Sequence, residues 1–315
     1  MGLPKKVVVY EVGPREGFQI EEQPVLTEDK VKFVNKINQT GLTSIEVTSF
    51  VHPKWVPNMA DAEEVLSKID RVPNVAYRTV YLNVKGLHRA IQANVNIDGV
   101  ISLSASNKFA KRNTNKTTDE LLGTIPAWVE AYREVSIPVD QIALMATFGC
   151  NFEGVISIEQ VLNVLRKGKA ALEKNGETLR KLKLCDTMGW ANPEQIKRTL
   201  FAIKNEWPEL DIILHLHDTR GLGMANAYAA LQEGVTEFES AIAGLGGCPF
   251  AAVKGAAGNI STEDLVFLCE SLGIETGINL EALLECVELA ENIVGRNLPG
   301  HLRSGGLLLK SKTVL

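Results

Sequence analysis

The sequence predicts an α/β protein, a (β/α)8 barrel with a C-terminal helical extension. Three observations predict it. Eight short β-rich runs alternate with longer helical patterns, no shift of composition divides the 315 residues, and polar side chains gather at the C-terminal ends of the runs. An open doubly wound sheet would also alternate. It rarely reaches eight even units, however, and no dinucleotide-type glycine fingerprint follows the first run.

The runs are VVVYEVG (7–13), SIEVTSF (44–50), AYRTVYL (76–82), DGVISLSAS (98–106), QIALMAT (141–147), KLKLCDT (181–187), DIILHLHD (211–218) and EFESAIA (237–243). Helix signals fill the gaps. Thr27 is placed to cap a helix carrying Val31, Val34 and Ile37. Ser157 and Gln160 have capping-box spacing before VLNVL, with Gly176 as the stop. Asn192 followed by Pro193 reads as cap and first turn. Met224 to Gln232 is rich in alanine and favours helix. Beyond residue 260, STEDLVFLCESLGI and NLEALLECVELAENIV are helical patterns that close the barrel and extend it. LPGHLRSGGLLLKSKTVL has weak periodicity and reads as loop or tail. The resulting division is a catalytic barrel over residues 1–285 and a C-terminal helix and tail, 286–315, packed on it.

Composition narrows the function. With 45% hydrophobic and 23% charged residues, the chain has the profile of a soluble globular protein with a large core. A net charge of −5 argues against broad nucleic-acid binding. No apolar stretch approaches the roughly 20 residues that span a bilayer. The start, MGLPKKVVVY, runs straight into a strand pattern and leaves no room for a signal peptide. Five cysteines without paired spacing are expected to be reduced thiols in a cytoplasmic protein.

A barrel of this kind carries its chemistry where the strands end and the βα loops converge. Arg15 and Glu16 follow the first run. Glu46 lies within the second, with Ser49 near its end, and Asn83 follows the third. Asp186 ends the sixth, and His215, His217 and Asp218 end the seventh. In HLHD, residues two apart share a strand face, so His215 and His217 project together while Leu216 faces the helices. An isolated HxH is more often a hydrogen-bonded pair lining a polar barrel. At a barrel rim, with a carboxylate expected across the mouth, a metal site is the stronger reading. Glu16 is the third ligand. Two imidazoles and a carboxylate suit Mg2+ or Mn2+, and the lack of a nearby cysteine disfavours zinc. The plainer alternatives are a salt bridge between Glu16 and Arg15 and a structural pairing of Arg15 with Glu46. Arg15 beside a cation is suited to stabilise an enolate oxygen.

The third signal is AGLGGCPFAAVKGAAGN (243–259). Its glycines make a permissive loop, with Cys248 at its centre placed to act as general acid or base once the loop closes. A phosphate cradle or a merely flexible loop would look alike in sequence. Asn259 could supply an amide oxygen to the cation. Cys269 and Cys286 belong to helical core patterns and Cys185 to a strand. Cys150 lies in a βα loop and has no settled role.

The segments EVGPREGFQ, GLTSIEVTSFVHPKWVPNMAD, LCDTMG, HLHDTRG, AGLGGCPF and GNISTEDLV occur in one order between about Val7 and Leu280. Through them the chain resembles the hydroxymethylglutaryl-CoA lyase family of metal-dependent barrel lyases, which are related to Claisen-type synthases. The resemblance implies a TIM barrel that cleaves a 3-hydroxyacyl-CoA to acetyl-CoA and a keto acid. It implies a divalent cation, Mg2+ or Mn2+, held by Glu16, His215, His217 and Asn259. Arg15 would stabilise the acetyl-CoA enolate and Cys248 would transfer a proton. Glu46 and Asp186 would orient the site, Asp186 also helping to remove the hydroxyl proton. An acyl-CoA is the implied partner, and barrel enzymes of this kind often form homodimers or larger homo-oligomers.

The chain departs from the family pattern at several points. Glu16 replaces an aspartate, and two extra residues separate Cys248 from Asn259. Arg220 replaces an aromatic residue, Asn107 a glutamate, and His52 a small polar residue. Three other readings stand beside the lyase: the same cleavage of a different 3-hydroxyacyl-CoA, a condensing synthase, which the motif AGLGGCPF disfavours, and a non-catalytic acyl-CoA-binding homologue.

Overall fold

A computed structural model describes residues 2–247 and 257–308. Its eight strands are β1 (Val8–Glu11), β2 (Ser44–Ser49), β3 (Ala76–Val80), β4 (Gly99–Ser104), β5 (Val139–Met145), β6 (Lys181–Cys185), β7 (Asp211–His215) and β8 (Glu237–Ser240). They form one parallel sheet in the order β3-β2-β1-β8-β7-β6-β5-β4. The first and last strands are neighbours, Val8 opposite Glu237 through Glu11 opposite Ser240, so the sheet curls back on itself. Where the ladder ends, at β3 and β4, side chains span the seam. Asn96 donates its amide N–H to Tyr77 O and accepts from Tyr77 N. The Tyr81 hydroxyl meets that of Tyr132 at 2.9 Å, and Tyr132 reaches Val100 on β4.

Strand alternation sorts the side chains into two layers. Val9, Ile45, Val47, Leu182, Leu184, Leu214 and Phe238 are buried in the main apolar core. Residues of opposite parity point into the barrel and are unusually charged. Lys181 on β6 reaches across β7 to Glu237 on β8 at 2.9 Å, and Lys183 pairs with Glu239 one step higher. Such spans are open only to side chains inside the curl. Between β6 and β8 the interior thus holds two stacked ion pairs, in place of the layers of branched apolar residues common in (β/α)8 barrels.

Several local expectations hold. Asn192 accepts from Gln195 N at 2.9 Å and Pro193 opens the helix Pro193–Glu206. The alanine-rich helix is Gly223–Gln232. The two helical patterns beyond residue 260 are the helices Thr262–Ser271 and Leu280–Val294, which the structure shows capped by Ser261 and Asn279. Other expectations need correction. Thr27 is the first residue of its helix, Thr27–Ile37, and does not cap it; its hydroxyl donates to Asp61 Oδ2 at 2.6 Å instead. Ser157 caps Ile158–Lys174, but the reciprocal half of the box is missing because Gln160 Nε2 donates to Ala105 O at 2.6 Å. Among its described residues the tail contains one short helical turn, Leu302–Gly305.

The last two strands stop earlier than their sequence patterns. Beyond His215 and Ser240 their edges separate, and residues 259–261 wedge between them. Ile260 N donates to Leu216 O at 3.0 Å, and Ala241 N donates to Ile260 O at 3.0 Å. This wedge sets Asn259 beside His217 in an isolated bridge. Among the described residues no helix is long and apolar enough to cross a membrane.

Candidate active site

The site begins with how β1 ends. The side chain of Glu11 is fully buried and staples β1 to β8, accepting from Gly13 N (2.8 Å), Ile242 N (3.0 Å) and the Thr262 hydroxyl (2.6 Å). Burial pushes its carboxyl up to about 8, against those three hydrogen bonds. The chain then turns through one π-helical turn, Gly13–Gly17. A Cβ on Gly13 would lie 2.5 Å from Glu11 Oε1, and one on Gly17 would lie 2.7 Å from Leu245 Cβ. Glycine at both ends of GPREG is therefore what lets the turn seat Arg15 and Glu16 over the barrel mouth.

Across the mouth, His215 ends β7 and His217 follows it. Their Nε2 atoms are 3.0 Å apart, and Glu16 Oε1 is 3.6 Å from each. A triangle with these sides has its equidistant point about 2.0 Å from every corner, close to the bond length a small divalent cation such as Mg2+ makes. Among the described residues these three form the cluster of His, Cys, Asp and Glu able to hold a metal ion. The buried Oδ1 of Asn259 has no hydrogen-bond partner, while its Nδ2 is fixed on Leu245 O at 2.9 Å. An amide oxygen left bare beside His217 fits a fourth ligand. The added methylene of Glu16 is absorbed without loss of reach. One carboxylate oxygen faces the imidazoles and the other accepts from Arg15 Nη2 at 3.3 Å.

The charges fit a cation. Burial would raise the carboxyl of Glu16, but His215 and Arg15 hold it well below the usual carboxylate range. Burial opposes a charge on His215, but Glu16 and Glu239 outweigh it and raise its pKa to about 10. In the cation-free protein His215 is therefore protonated at neutral pH. This proton stabilises the fold below about pH 6.5, and that contribution fades as pH rises through about 10. A cation must displace the proton. Calorimetric titration with Mn2+ in buffers of different ionisation enthalpy should show about one proton released per cation, and affinity rising by up to about tenfold per pH unit between pH 6 and 9. Binding without proton release would contradict this arrangement.

Arg15 makes a close ion pair with Glu46 on β2, as well as its contact with Glu16. Both plain pairings read from the sequence thus coexist with the metal geometry. Asp186 follows β6, its backbone N–H bonded to His215 O at 2.8 Å. Its Oδ1 accepts from Trp190 N (2.7 Å) and Ala191 N (3.1 Å), while Oδ2 is buried with no partner. Burial raises its carboxyl, with His217 pulling the other way. Cys248 lies outside the described residues. Asn83 caps the helix Val84–Gln92 and does not join the site. The departures His52, Asn107 and Arg220 make loop contacts. His52 Nδ1 accepts from Lys54 N, Asn107 accepts from Thr118 N, and Arg220 Nη1 donates to Met188 O and Gly189 O.

Two buried carboxyls, Glu11 and Glu239, and the half-buried Lys183 were not foreseen. Glu11 supports the opening turn, and Lys183 with Glu239 lies directly behind His215. For Lys183 and Glu239 the alternation of KLKLC and EFES was the only sequence signal.

The HMGL-like family model matches residues 6–290. The chain is 40% identical over 301 residues to hydroxymethylglutaryl-CoA lyase of Bacillus subtilis, covering 96% of this chain and 97% of that protein. It is 41% identical over 283 residues to the human mitochondrial hydroxymethylglutaryl-CoA lyase, covering 90% and 84%. Its structure is similar to that of an HMG-CoA lyase from Acinetobacter baumannii in complex with coenzyme A and 3-methylmalate. That match has a TM-score of 0.86 and 37% identity, and it covers 100% of this chain and 98% of the other.

Proposed function

From the premise that the chain belongs to the HMGL-like family, we propose that it is a divalent-metal-dependent carbon–carbon lyase. It cleaves a 3-hydroxy-3-methylglutaryl-CoA-like thioester to acetyl-CoA and a keto acid. The observation that carries the reading is the convergence of Glu16, His215 and His217 at the C-terminal rim of the sheet. The fold is read as a closed (β/α)8 barrel with a C-terminal helical extension. The protein is read as cytoplasmic, in keeping with the free Cys150, Cys185, Cys269 and Cys286. A homodimer or larger homo-oligomer is its expected assembly.

Glu16, His215, His217 and Asn259 would hold the cation, Mg2+ or Mn2+. When bound, it supplies Lewis-acid polarisation of the substrate oxygens. The chain's own groups supply the rest. The unpartnered Asp186 Oδ2 accepts the proton of the tertiary hydroxyl. The oxygen's electrons then form the new carbonyl as the carbon–carbon bond breaks, and its electron pair passes into the thioester as an enolate. Arg15, steadied by Glu46 and Glu16, directs its remaining N–H donors at the enolate oxygen. The Cys248 thiol returns a proton to carbon and completes acetyl-CoA.

A second reading keeps this mechanism and changes the acyl group. It is motivated by the departures from the family pattern, Arg220 among them, which joins the β7 loop to the β6 loop. Both are tested by offering a panel of 3-hydroxyacyl-CoA thioesters with Mg2+ or Mn2+ and following acetyl-CoA directly. Release from the 3-hydroxy-3-methylglutaryl ester is expected. Release only from another member would select the second reading, and release from none would leave an acyl-CoA-binding homologue.

A further inference from the structure

We propose that Lys183 and Glu239 are positioning residues for the metal ligand His215: Glu239 fixes the imidazole so that Nε2 faces the cation site, and Lys183 fixes Glu239. This rests on the reading of Glu16, His215 and His217 as a cation site.

The three residues sit on adjacent strands and face the barrel interior. His215 on β7 is in register with Glu239 on β8, and Lys183 on β6 lies one inward position below the partner of His215. Glu239 Oε2 meets His215 Nδ1 at 2.9 Å, and Oε1 takes the ammonium of Lys183 in a close ion pair. Both carboxylate oxygens are thereby used inside a site where Glu239 and His215 are each less than one-tenth exposed. A carboxylate accepts and does not donate, so the ring proton it engages must be on Nδ1. The Nε2 lone pair is then free for a cation, and the ring cannot rotate without breaking a buried charge-assisted bond.

Lys183 gives this arrangement its stiffness. Without it, Glu239 Oε1 would be a buried acceptor with no donor, and nothing would hold the carboxylate in the plane of the imidazole. His217 is oriented by other means. Its Nδ1 is buried without a partner, and its position is set by the bridge to Asn259. Of the two imidazoles, only His215 depends on a charged support.

The test is Mn2+ affinity of the purified full-length protein, measured by the electron paramagnetic resonance of free Mn2+. E239Q is nearly isosteric, and its amide can donate to Nδ1, which puts the ring proton on Nε2. E239Q and K183M should each weaken Mn2+ binding by about 10- to 100-fold. The double variant should be no weaker than the worse single, because Lys183 acts through Glu239. Circular dichroism and melting of the cation-free variants separate this from unfolding, and E239Q carries the test alone if K183M does not fold. Folded E239Q with affinity within about twofold of the unsubstituted protein, or additive losses in the double variant, would overturn the inference while leaving the cation site standing. An unsubstituted protein that takes up no Mn2+ would overturn the cation site and the inference together.

Discussion

His217→Ala is expected to remove the bound cation and the turnover together, with activity falling by about 10³-fold or more. The imidazole is buried and its Nε2 is one corner of the Glu16–His215–His217 triangle. Its loss leaves one nitrogen and one carboxylate oxygen from that triangle, too few to fix a small cation against water. Losing several kcal/mol of transition-state charge stabilisation, about 4, corresponds to that factor. The fold should survive, since β7 ends at His215 and the neighbouring wedge at residues 259–261 is held by backbone bonds. Metal analysis, circular dichroism and acetyl-CoA release on one preparation check it. A folded variant with full activity would show that His217 is not a ligand.

Arg15→Met separates the cation from the enolate. Arg15 touches Glu16 but is not one of the three donors around the equidistant point, so metal content should remain near that of the unsubstituted protein. The turnover number should fall by about 10²- to 10³-fold, as when one preorganised donor is taken from a developing oxyanion. Melting temperature should also drop, because Glu46 would lose its ion-pair partner in a mostly buried place. Arg15→Lys should recover little. It keeps the charge but not the planar fork that spans Glu46 and Glu16 at once. An Arg15→Met enzyme with unchanged turnover and bound cation would take Arg15 out of the chemistry.

Much of this was legible in the residues. The eight-fold alternation fixed the strand count, and the rule that chemistry gathers at strand ends picked out Arg15, Glu16, Asp186, His215 and His217. Adjacent placement also made the plain Arg15–Glu46 and Arg15–Glu16 pairs visible as alternatives; in three dimensions they support the site. The interior of the barrel was not legible. Lys181, Lys183, Glu237 and Glu239 alternate with apolar residues, a pattern that also describes a strand with one solvated face. Only curling of the sheet turns that face inward and makes the charges meet across β7. Boundaries failed where tertiary contacts outbid local signals. Thr27 spends its hydroxyl on Asp61 and Gln160 its amide on Ala105, partners 34 and 55 residues away that no local spacing reveals. The early ends of β7 and β8 have the same origin, since the wedge that separates them comes from residues 259–261.

Crystals of the protein soaked in Mn2+ and measured at the manganese absorption edge test the central claim most directly. One anomalous peak is expected between Glu16 Oε1, His215 Nε2 and His217 Nε2, within about 2.0–2.3 Å of each, with Asn259 Oδ1 turned toward it. A fully occupied peak elsewhere in the barrel, or none beside these side chains at saturating Mn2+, would contradict it.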